Sequence, residues 1–403
     1  MITLQIIFWI SFVALAHTYI LYPLLLKILP SSPLSTSEGE QKSEPSVSIL
    51  IPAYNEEKIV RQKLESIFNS EYPKEKIEVI VGSDASTDRT NEIVQSFQQV
   101  QLVEFAGRSG KPKIINKLAT LAKNEILILT DANVIFDKNT ISELTKHFQN
   151  SEIALVDSNM VNINQQGKGI SKAESTYIRG EVGIKNNEGK VFGMMMGPFG
   201  GCYAARKSFY SPVPENFLVD DFYINMKVLE KGGKAISEIN AKVYEEVPTD
   251  WKVEFKRKIR IATGSFQNLK EFFHLLLRFN ALSFCFLSHK VLRWFGPFFM
   301  IGAYLSSLFL FIAQMEEIPN THLEFRSKDS IDIYGIFFLL QHIPIFLLFQ
   351  DMILKSSRLA SLGLNFIVTN LVTHFFTTNL ALLIGFFKFL GGVKSSVWTP
   401  TKR

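Results

Sequence analysis

The first charged side chain in this 403-residue chain is Lys27. Residues 1–26 hold no Asp, Glu, Lys or Arg, and a helix crosses a bilayer with about 20 apolar residues. Three further uncharged runs follow, at 294–315, 333–350 and 359–387. Ala14-Leu15-Ala16 has the look of a cleavage site. The start carries no positive charge, however, and the apolar run continues through Ile20 to Leu26, so a retained span is expected rather than a leader. The first two later runs suit single spans. The third is too long for one upright helix and too short for two, so it is expected to be tilted, kinked or re-entrant. Lys355 and Arg358 favour the cytoplasmic side, as do Lys394, Lys402 and Arg403, although one span lies between the two groups.

Between these ends, from about Val47 to Leu269, the pattern is that of a water-soluble domain. Short apolar runs, Val47 to Pro52, Ile77 to Val81, Leu102 to Phe105, Ile126 to Leu129 and Ala154 to Val156, read as strands. They alternate with helical patterns at Glu57 to Phe68, Asp88 to Phe97, Pro112 to Ala122 and Thr140 to Phe148. Apolar strands alternating with amphipathic helices predict a Rossmann-like α/β domain, its sheet mostly parallel and covered on both faces. No internal repeat is visible. After Asp220, Trp251, Phe255, Ile259, Ala262, Phe266 and Leu269 recur at helical spacing, with Lys252, Lys256, Arg257, Lys258 and Arg260 on other faces. A basic amphipathic helix of this kind suits the membrane interface; packing on the domain as an ordinary surface helix is the alternative. Residues 279–288 are too short to span and suit a second interfacial stretch.

Composition excludes several classes. A net charge of +5 is too small for a nucleic-acid binder, and the basic residues cluster near the apolar segments, where membrane lipid is the better partner. Two cysteines, Cys202 and Cys285, do not make a disulfide framework, and the seven histidines lack ligand spacing, which argues against zinc.

The chemistry lies in short motifs at the ends of the strands, where open α/β sheets bind ligands. Pro52-Ala53-Tyr54-Asn55-Glu56 follows the first strand; its amide and carboxylate suit a nucleobase, or a helix cap. Ser83-Asp84-Ala85-Ser86-Thr87-Asp88 ends the second, with Asp84 suited to a uracil imide and Asp88 to a cap. Gly110-Lys111-Pro112-Lys113, with Asn116, opens a helix and suits a diphosphate. In Thr130-Asp131-Ala132-Asn133, alternate side chains can aim two oxygens at one Mg²⁺ or Mn²⁺, though an Asx turn accounts for the pattern equally. Asp220-Asp221 opens another helix, one acid placed as a general base and the other as a cap.

In order and spacing these motifs resemble the membrane-bound family 2 glycosyltransferases, which have the GT-A fold. The resemblance covers 47–270, and Ser288 to Trp294 and Trp398-Thr399-Pro400-Thr401-x-Arg403 extend it to the membrane-bound members. It implies that Ala53, Glu56 and Asp84 meet the donor nucleoside, that Lys111 or Lys113 lies by its phosphates, and that Asp131 sits by metal and sugar. Asn133 stands where the family usually has a second acid. Asp221 matches the catalytic base, with Asp220 beside it. Gly200-Gly201-Cys202 with Arg206 resembles the acceptor side, and Met194 to Met196 suit core filling more than an acceptor wall. Processive members carry Gln-x-x-Arg-Trp; here Arg257-Lys258-Ile259-Arg260-Ile261 keeps only Arg260, and Arg257 and Arg260 are expected at the leaving diphosphate.

The reading is therefore an α/β GT-A catalytic domain at 47–250, preceded by a transmembrane helix (1–29) and a linker (30–46). Interfacial helices (251–290), about three transmembrane segments (291–390) and a tail (391–403) follow. The resemblance implies an inner- or plasma-membrane enzyme with its catalytic domain cytosolic and Met1 outside. It implies a divalent cation, a nucleotide-sugar donor with UDP favoured, and a lipid-linked or glycan acceptor. A processive synthase that also translocates its product, and a non-catalytic nucleotide-sugar scaffold, are the alternatives.

Overall fold

The computed structural model describes residues 1–31, 44–163, 169–246, 251–316, 333–356 and 367–397. Most of the expected linker, Arg358 and the Trp398 to Arg403 motif lie outside them. Eight strands form one sheet: β1 (Val47–Ala53), β2 (Ile77–Ser83), β3 (Val100–Glu104), β4 (Ile126–Thr130), β5 (Ile135–Phe136), β6 (Ile153–Ile163), β7 (Cys202–Arg206) and β8 (Lys234–Glu246). Their order is β3-β2-β1-β4-β7-β6-β8-β5.

The first half is the parallel β/α unit that the alternation predicts, β1 pairing in parallel with both β2 and β4. Its strands bury both faces with period two. Val47, Ile49 and Ile51 pack with Val79, Val81, Ile126 and Ile128 beneath α2 (Val60–Phe68) and α3 (Thr90–Gln95). Leu50, Ile80, Leu127 and Leu129 face the opposite side with Ile114, Ile115 and Leu118 of α4 (Lys111–Leu121). In the second half β7 runs antiparallel between β4 and β6, and β8 returns parallel to β6. Helix α2 begins at Val60 instead of Glu57 because the Glu56 and Glu57 N–H groups donate to Thr90 Oγ1 (2.8 Å) and Asp88 Oδ2 (3.1 Å) of the neighbouring loop. The N-cap of α3 is Arg89 rather than the expected Asp88, which stands one residue earlier with its Oδ1 accepting from Thr90 N at 3.0 Å.

Helix α5 (Thr140–Thr145) precedes β6, and the long α6 (Gly169–Phe192), which the sequence pattern does not signal, packs on β8, where a Cβ on Gly189 would lie 3.1 Å from Ile236 Cα. Inside that junction Lys185 Nζ donates to Asp157 Oδ2 at 2.6 Å, both side chains almost wholly buried, and the Phe199 ring lies 3.5 Å beneath the ammonium.

Four described helices are long and apolar enough to cross a membrane: Ile2–Ile28 (α1), Gly296–Met315, Ile333–Gln350 and Asn370–Leu390. No more than 28% of any of them is buried inside the protein. Apolar side chains such as Ile6, Phe309, Phe346 and Phe387 point outward from them, the state expected of helices whose solvent is lipid. Between α7 (Asp220–Glu230) and these helices lies α8 (Trp251–Leu276), the predicted basic amphipathic helix. It packs on both neighbours at once. A Cβ on Gly264 would come 2.5 Å from Val219 Cγ2, and a Cβ on Gly385 of α12 (Ile367–Leu390) 2.5 Å from Ala262 Cβ. Here α9 denotes residues 281–294, α10 Gly296–Glu316 and α11 Ile333–Ser356.

Because an isolated charge left in a dry interior is costly, Lys185→Met should destabilise the protein by roughly 3–5 kcal/mol. The double variant Asp157→Asn/Lys185→Met should recover much of that loss. Thermal unfolding in detergent checks it: a double variant no more stable than the single one would contradict a charge-based role.

Candidate active site

A cleft of about 480 Å³ opens where the C-terminal ends of β1 and β4 meet α7 and α8. Its charged floor begins with Lys111, the first residue of α4, whose Nζ lies 2.9 Å from Asp131 Oδ1 and 3.4 Å from Asp220 Oδ2. Burial works against that ammonium, but the charges of Asp131, Asp220 and Asp221 outweigh it and hold the lysine above its usual range. Asp131 stands just past β4, its N–H donating to Gly201 O at 3.0 Å. From behind, fully buried Lys63 donates to Thr130 Oγ1 at 2.9 Å and to Val134 O, bracing the loop at both ends.

Asp220 and Asp221 are the first two residues of α7, where the helix dipole favours negative charge. Neither is its cap, contrary to expectation: the N-cap is Val219, and no side chain caps it. Asp221 Oδ1 accepts from Phe222 N at 2.7 Å. Burial, and then the charge of Asp220, push its carboxyl up to about 7, against the opposing pull of Lys111. A carboxyl in that range can take a proton near neutral pH. Gly200 makes room for it. The residue has φ +81, and a Cβ there would lie 2.3 Å from Asp221 Oδ2.

Of the residues singled out by motif, Glu56, Lys111, Asp131, Asn133, Gly201, Asp220, Asp221, Arg257 and Arg260 line this one cleft. Arg257 pairs with Glu254 (2.8 and 3.0 Å), and Arg260 Nη1 donates to Leu218 O at 3.4 Å, just ahead of the acid pair. Ala53, Asp84, Lys113 and Cys202 are not among its lining residues. Asp84 is fully buried and accepts from Arg108 Nε (3.0 Å), Ser109 N and Gly110 N, with the Arg108 guanidinium 3.3 Å over the Tyr54 ring. Lys113 reaches Glu215 at 3.7 Å.

Cys202 points away from the cleft into the core under α2, so its thiol is not on an acceptor wall. Arg206 is likewise a clamp elsewhere, donating to Ile153 O at 2.9 Å and to Phe148 O at 2.6 Å. Asn116 is also consumed structurally, by Tyr210 Oη and the backbone of Val213.

The motifs do not mark Glu181, Glu245 and His374, which also line the cleft. They come from three separate elements, so no local spacing announces them. Asn133 Nδ2 donates to Glu245 Oε1 at 2.8 Å. Among the described residues no group of three His, Cys, Asp or Glu could hold a metal ion. The oxygens of Asp131 and Asn133 still fit a cation shared with a ligand's phosphates, because Mg²⁺ commonly takes only one or two protein oxygens plus phosphate and water.

The fold is that of a known class. Over 96% of this chain and 99% of the other, the fold matches the mannosyltransferase PcManGT of Pyrobaculum calidifontis, solved with GDP-Man and Mn²⁺, at TM-score 0.68 and 17% identity. The fold is GT-A, with N- and C-terminal membrane-type helices. Residues 48–210 match the model of glycosyl transferase family 2, and that segment is a family 2 glycosyltransferase domain.

Among sequence relatives, Probable glycosyltransferase YdaM of Bacillus subtilis is 27% identical over 240 residues, 56% of each chain. Poly-beta-1,6-N-acetyl-D-glucosamine synthase of Staphylococcus epidermidis is 22% identical over 72% of this chain and 71% of its own. The chain thus spans about half the length of YdaM, and a quarter of the staphylococcal transferase TarS, to which it is 28% identical over 148 residues.

Gly200→Ala should displace the Asp221 carboxylate while leaving the fold intact. Turnover is expected to fall about 10²-fold or more for a shift of this order, with nucleotide affinity little changed. Wild-type turnover in that variant, measured by nucleotide release, would show that the Gly200 contact does not set the position of Asp221.

Proposed function

We propose that this chain is a membrane-integral, inverting glycosyltransferase. It moves a hexosyl group from a nucleotide sugar, in the first instance a UDP-sugar, to a lipid-linked or glycan acceptor at the cytosolic face of the inner or plasma membrane. The observation that carries this reading is the buried carboxyl of Asp221, poised near neutrality beside the Lys111–Asp131–Asp220 cluster in a cleft that reaches the membrane helices.

On this reading the Asp221 carboxylate takes the proton of an acceptor hydroxyl. The freed oxygen pair forms a bond to the anomeric carbon as the bond from that carbon to the diphosphate oxygen breaks, its electrons leaving with the nucleoside diphosphate. Entry opposite the leaving group inverts the centre. Lys111, Arg257 and Arg260 supply positive charge for the departing diphosphate. A divalent cation, Mg²⁺ or Mn²⁺, would be held by Asp131 and Asn133 and would neutralise developing phosphate charge. Glu56 is assigned to the nucleoside and Gly201 to the acceptor side; Ala53, Asp84 and Lys113, which do not line the cleft, are given no direct contact with the donor. The Mn²⁺ bound to PcManGT supports the cation.

Support for a processive synthase comes from the poly-N-acetylglucosamine synthase relative and from the contact of the cleft with His374, Thr378 and Leu382 of α12. Ile261, at the position of the aromatic platform, favours single transfer. Products sized by mass spectrometry separate the two: gain of one residue supports the proposal, and a long ladder at low conversion overturns it. A binding-only scaffold has no use for a buried carboxyl held near neutrality.

Asp221→Asn should lower transfer by about 10²–10⁴-fold with donor binding retained. Because only the ionised carboxylate accepts a proton, kcat/KM of the wild type should rise with pH and level off above a midpoint near 7. Lys111→Met should move that midpoint upward, since Lys111 holds the carboxyl down. A flat profile from pH 5 to 8 would remove Asp221 as the base. Asp131→Ala should weaken donor affinity and cation dependence together, and full wild-type activity in chelator would contradict the metal role.

A further inference from the structure

Lys63, in the first half of α2, belongs to none of the motifs, and its side chain is 0% exposed. Lysine is almost never fully buried, because a polar group withdrawn from water is costly unless its donors are engaged. A methionine would fill the same space without that cost. The amine is therefore to be understood through what it touches.

It touches the loop that carries the cation-binding oxygens. Nζ donates to Thr130 Oγ1 at 2.9 Å and to Val134 O, and it lies 3.6 Å from the centroid of the Phe136 ring. Of the three N–H groups of an ammonium, two go to the loop, and the ring face takes the remaining side. Thr130 and Val134 are the two ends of the turn that holds Asp131 and Asn133, and Val134 N closes it on Asp131 O at 3.3 Å.

The contact continues toward the base. Thr130 Oγ1, having accepted from Lys63, donates to Gly201 O at 2.9 Å. The same carbonyl accepts from Asp131 N at 3.0 Å. Gly201 follows Gly200, the residue that leaves room for the Asp221 carboxylate. Lys63, Thr130 and Gly201 stand on α2, on β4 and just ahead of β7, so the chain alone does not hold them together. One amine and one hydroxyl do.

We infer that Lys63 is a positioning residue for transfer, acting through Thr130 to set Asp131 and Asn133 for the cation and to hold the Gly200–Gly201 turn beside Asp221. This deepens the reaction proposed above and rests on it. Lys63 is not among the residues lining the cleft, so it acts only through its partners.

The test titrates Mn²⁺ by electron paramagnetic resonance against the full chain in detergent, with UDP and then GDP present, and follows thermal unfolding in parallel. Lys63→Met keeps the length of the side chain and removes the donor. It should weaken Mn²⁺ by about 10–100-fold, the loss usual when a hydrogen-bonding partner behind a metal ligand is removed. Thr130→Val should weaken it to a similar degree, and Thr130→Ser, which keeps the hydroxyl, should not. Residues acting in one hydrogen-bonded chain are not additive, so Lys63→Met/Thr130→Val should lose no more than the larger single loss. A lysine that merely filled the core would lower the melting temperature and leave Mn²⁺ affinity alone. Wild-type affinity in Lys63→Met therefore overturns the role, as do losses that multiply in the double variant. If Lys63→Met does not fold, Thr130→Val and Thr130→Ser decide: a difference between them supports the role, and equal affinity overturns it. A wild type that binds no Mn²⁺ with either nucleotide removes the cation from the reaction above, and this inference with it. A wild type that binds, beside a Lys63→Met that binds equally, sinks the positioning role alone.

Discussion

The site depends on one ammonium group. Asp131 and the Asp220–Asp221 pair come from distant stretches of the sequence, and three carboxylates this close repel one another in a partly dry cleft. Lys111, 2.9 Å from Asp131 and 3.4 Å from Asp220, makes their approach tolerable. It can do so because α4 starts at that residue, with Pro112 fixing its first turn. The same charge restrains Asp221, whose carboxyl stays near neutrality and not higher. Fold and chemistry therefore meet in a single side chain: β4, α4 and α7 converge on it, and each contributes a group that means little alone.

The second constraint is the distance from this cluster to the membrane. Helix α8 carries it, with Gly264 letting the helix close on Val219, next to the acid pair, and Gly385 letting α12 close on Ala262. Phe266 on the same helix is buried among Phe295, Phe386 and Phe389. Rigid aromatic packing of this kind fixes the height of the acid pair above the apolar helices. A flexible linker would leave that height unset. An acceptor drawn from the membrane would thus meet the carboxylates at a defined depth.

Much of this was legible in the sequence because β/α units announce themselves. Strands β1, β2 and β4 are short apolar runs, and their ends carry Glu56, Asp84 and Asp131 where ligand-binding loops must be. Three of the four apolar helices were equally plain, since a long run without a single charge suits little besides a bilayer; the run 359–387 was not, and its described part belongs to the single helix Ile367–Leu390. The second half was harder. Strand β7, Cys-Tyr-Ala-Ala-Arg, is too short to show a period, and its antiparallel insertion depends on partners far away in sequence. Helix α6 was invisible because Glu181, Lys185 and Glu188 turn inside: Lys185 pairs with Asp157, and Glu188 meets Tyr22 and His289. Cys202 adjoins a glycine that does line the cleft, and Arg206 ends the same strand, yet strand alternation and the clamp on Phe148 turn them elsewhere. Side-chain direction, unlike element type, is set by the assembled sheet.

The most direct test of the central claim is nucleotide release by the full chain in lipid nanodiscs, offered UDP- and GDP-sugars in turn with Mn²⁺ or Mg²⁺. The account predicts cation-dependent release from one donor, and binding of its nucleoside diphosphate at the Lys111 cluster even without acceptor. Failure to bind or cleave any donor, by a protein shown to be folded, would contradict it.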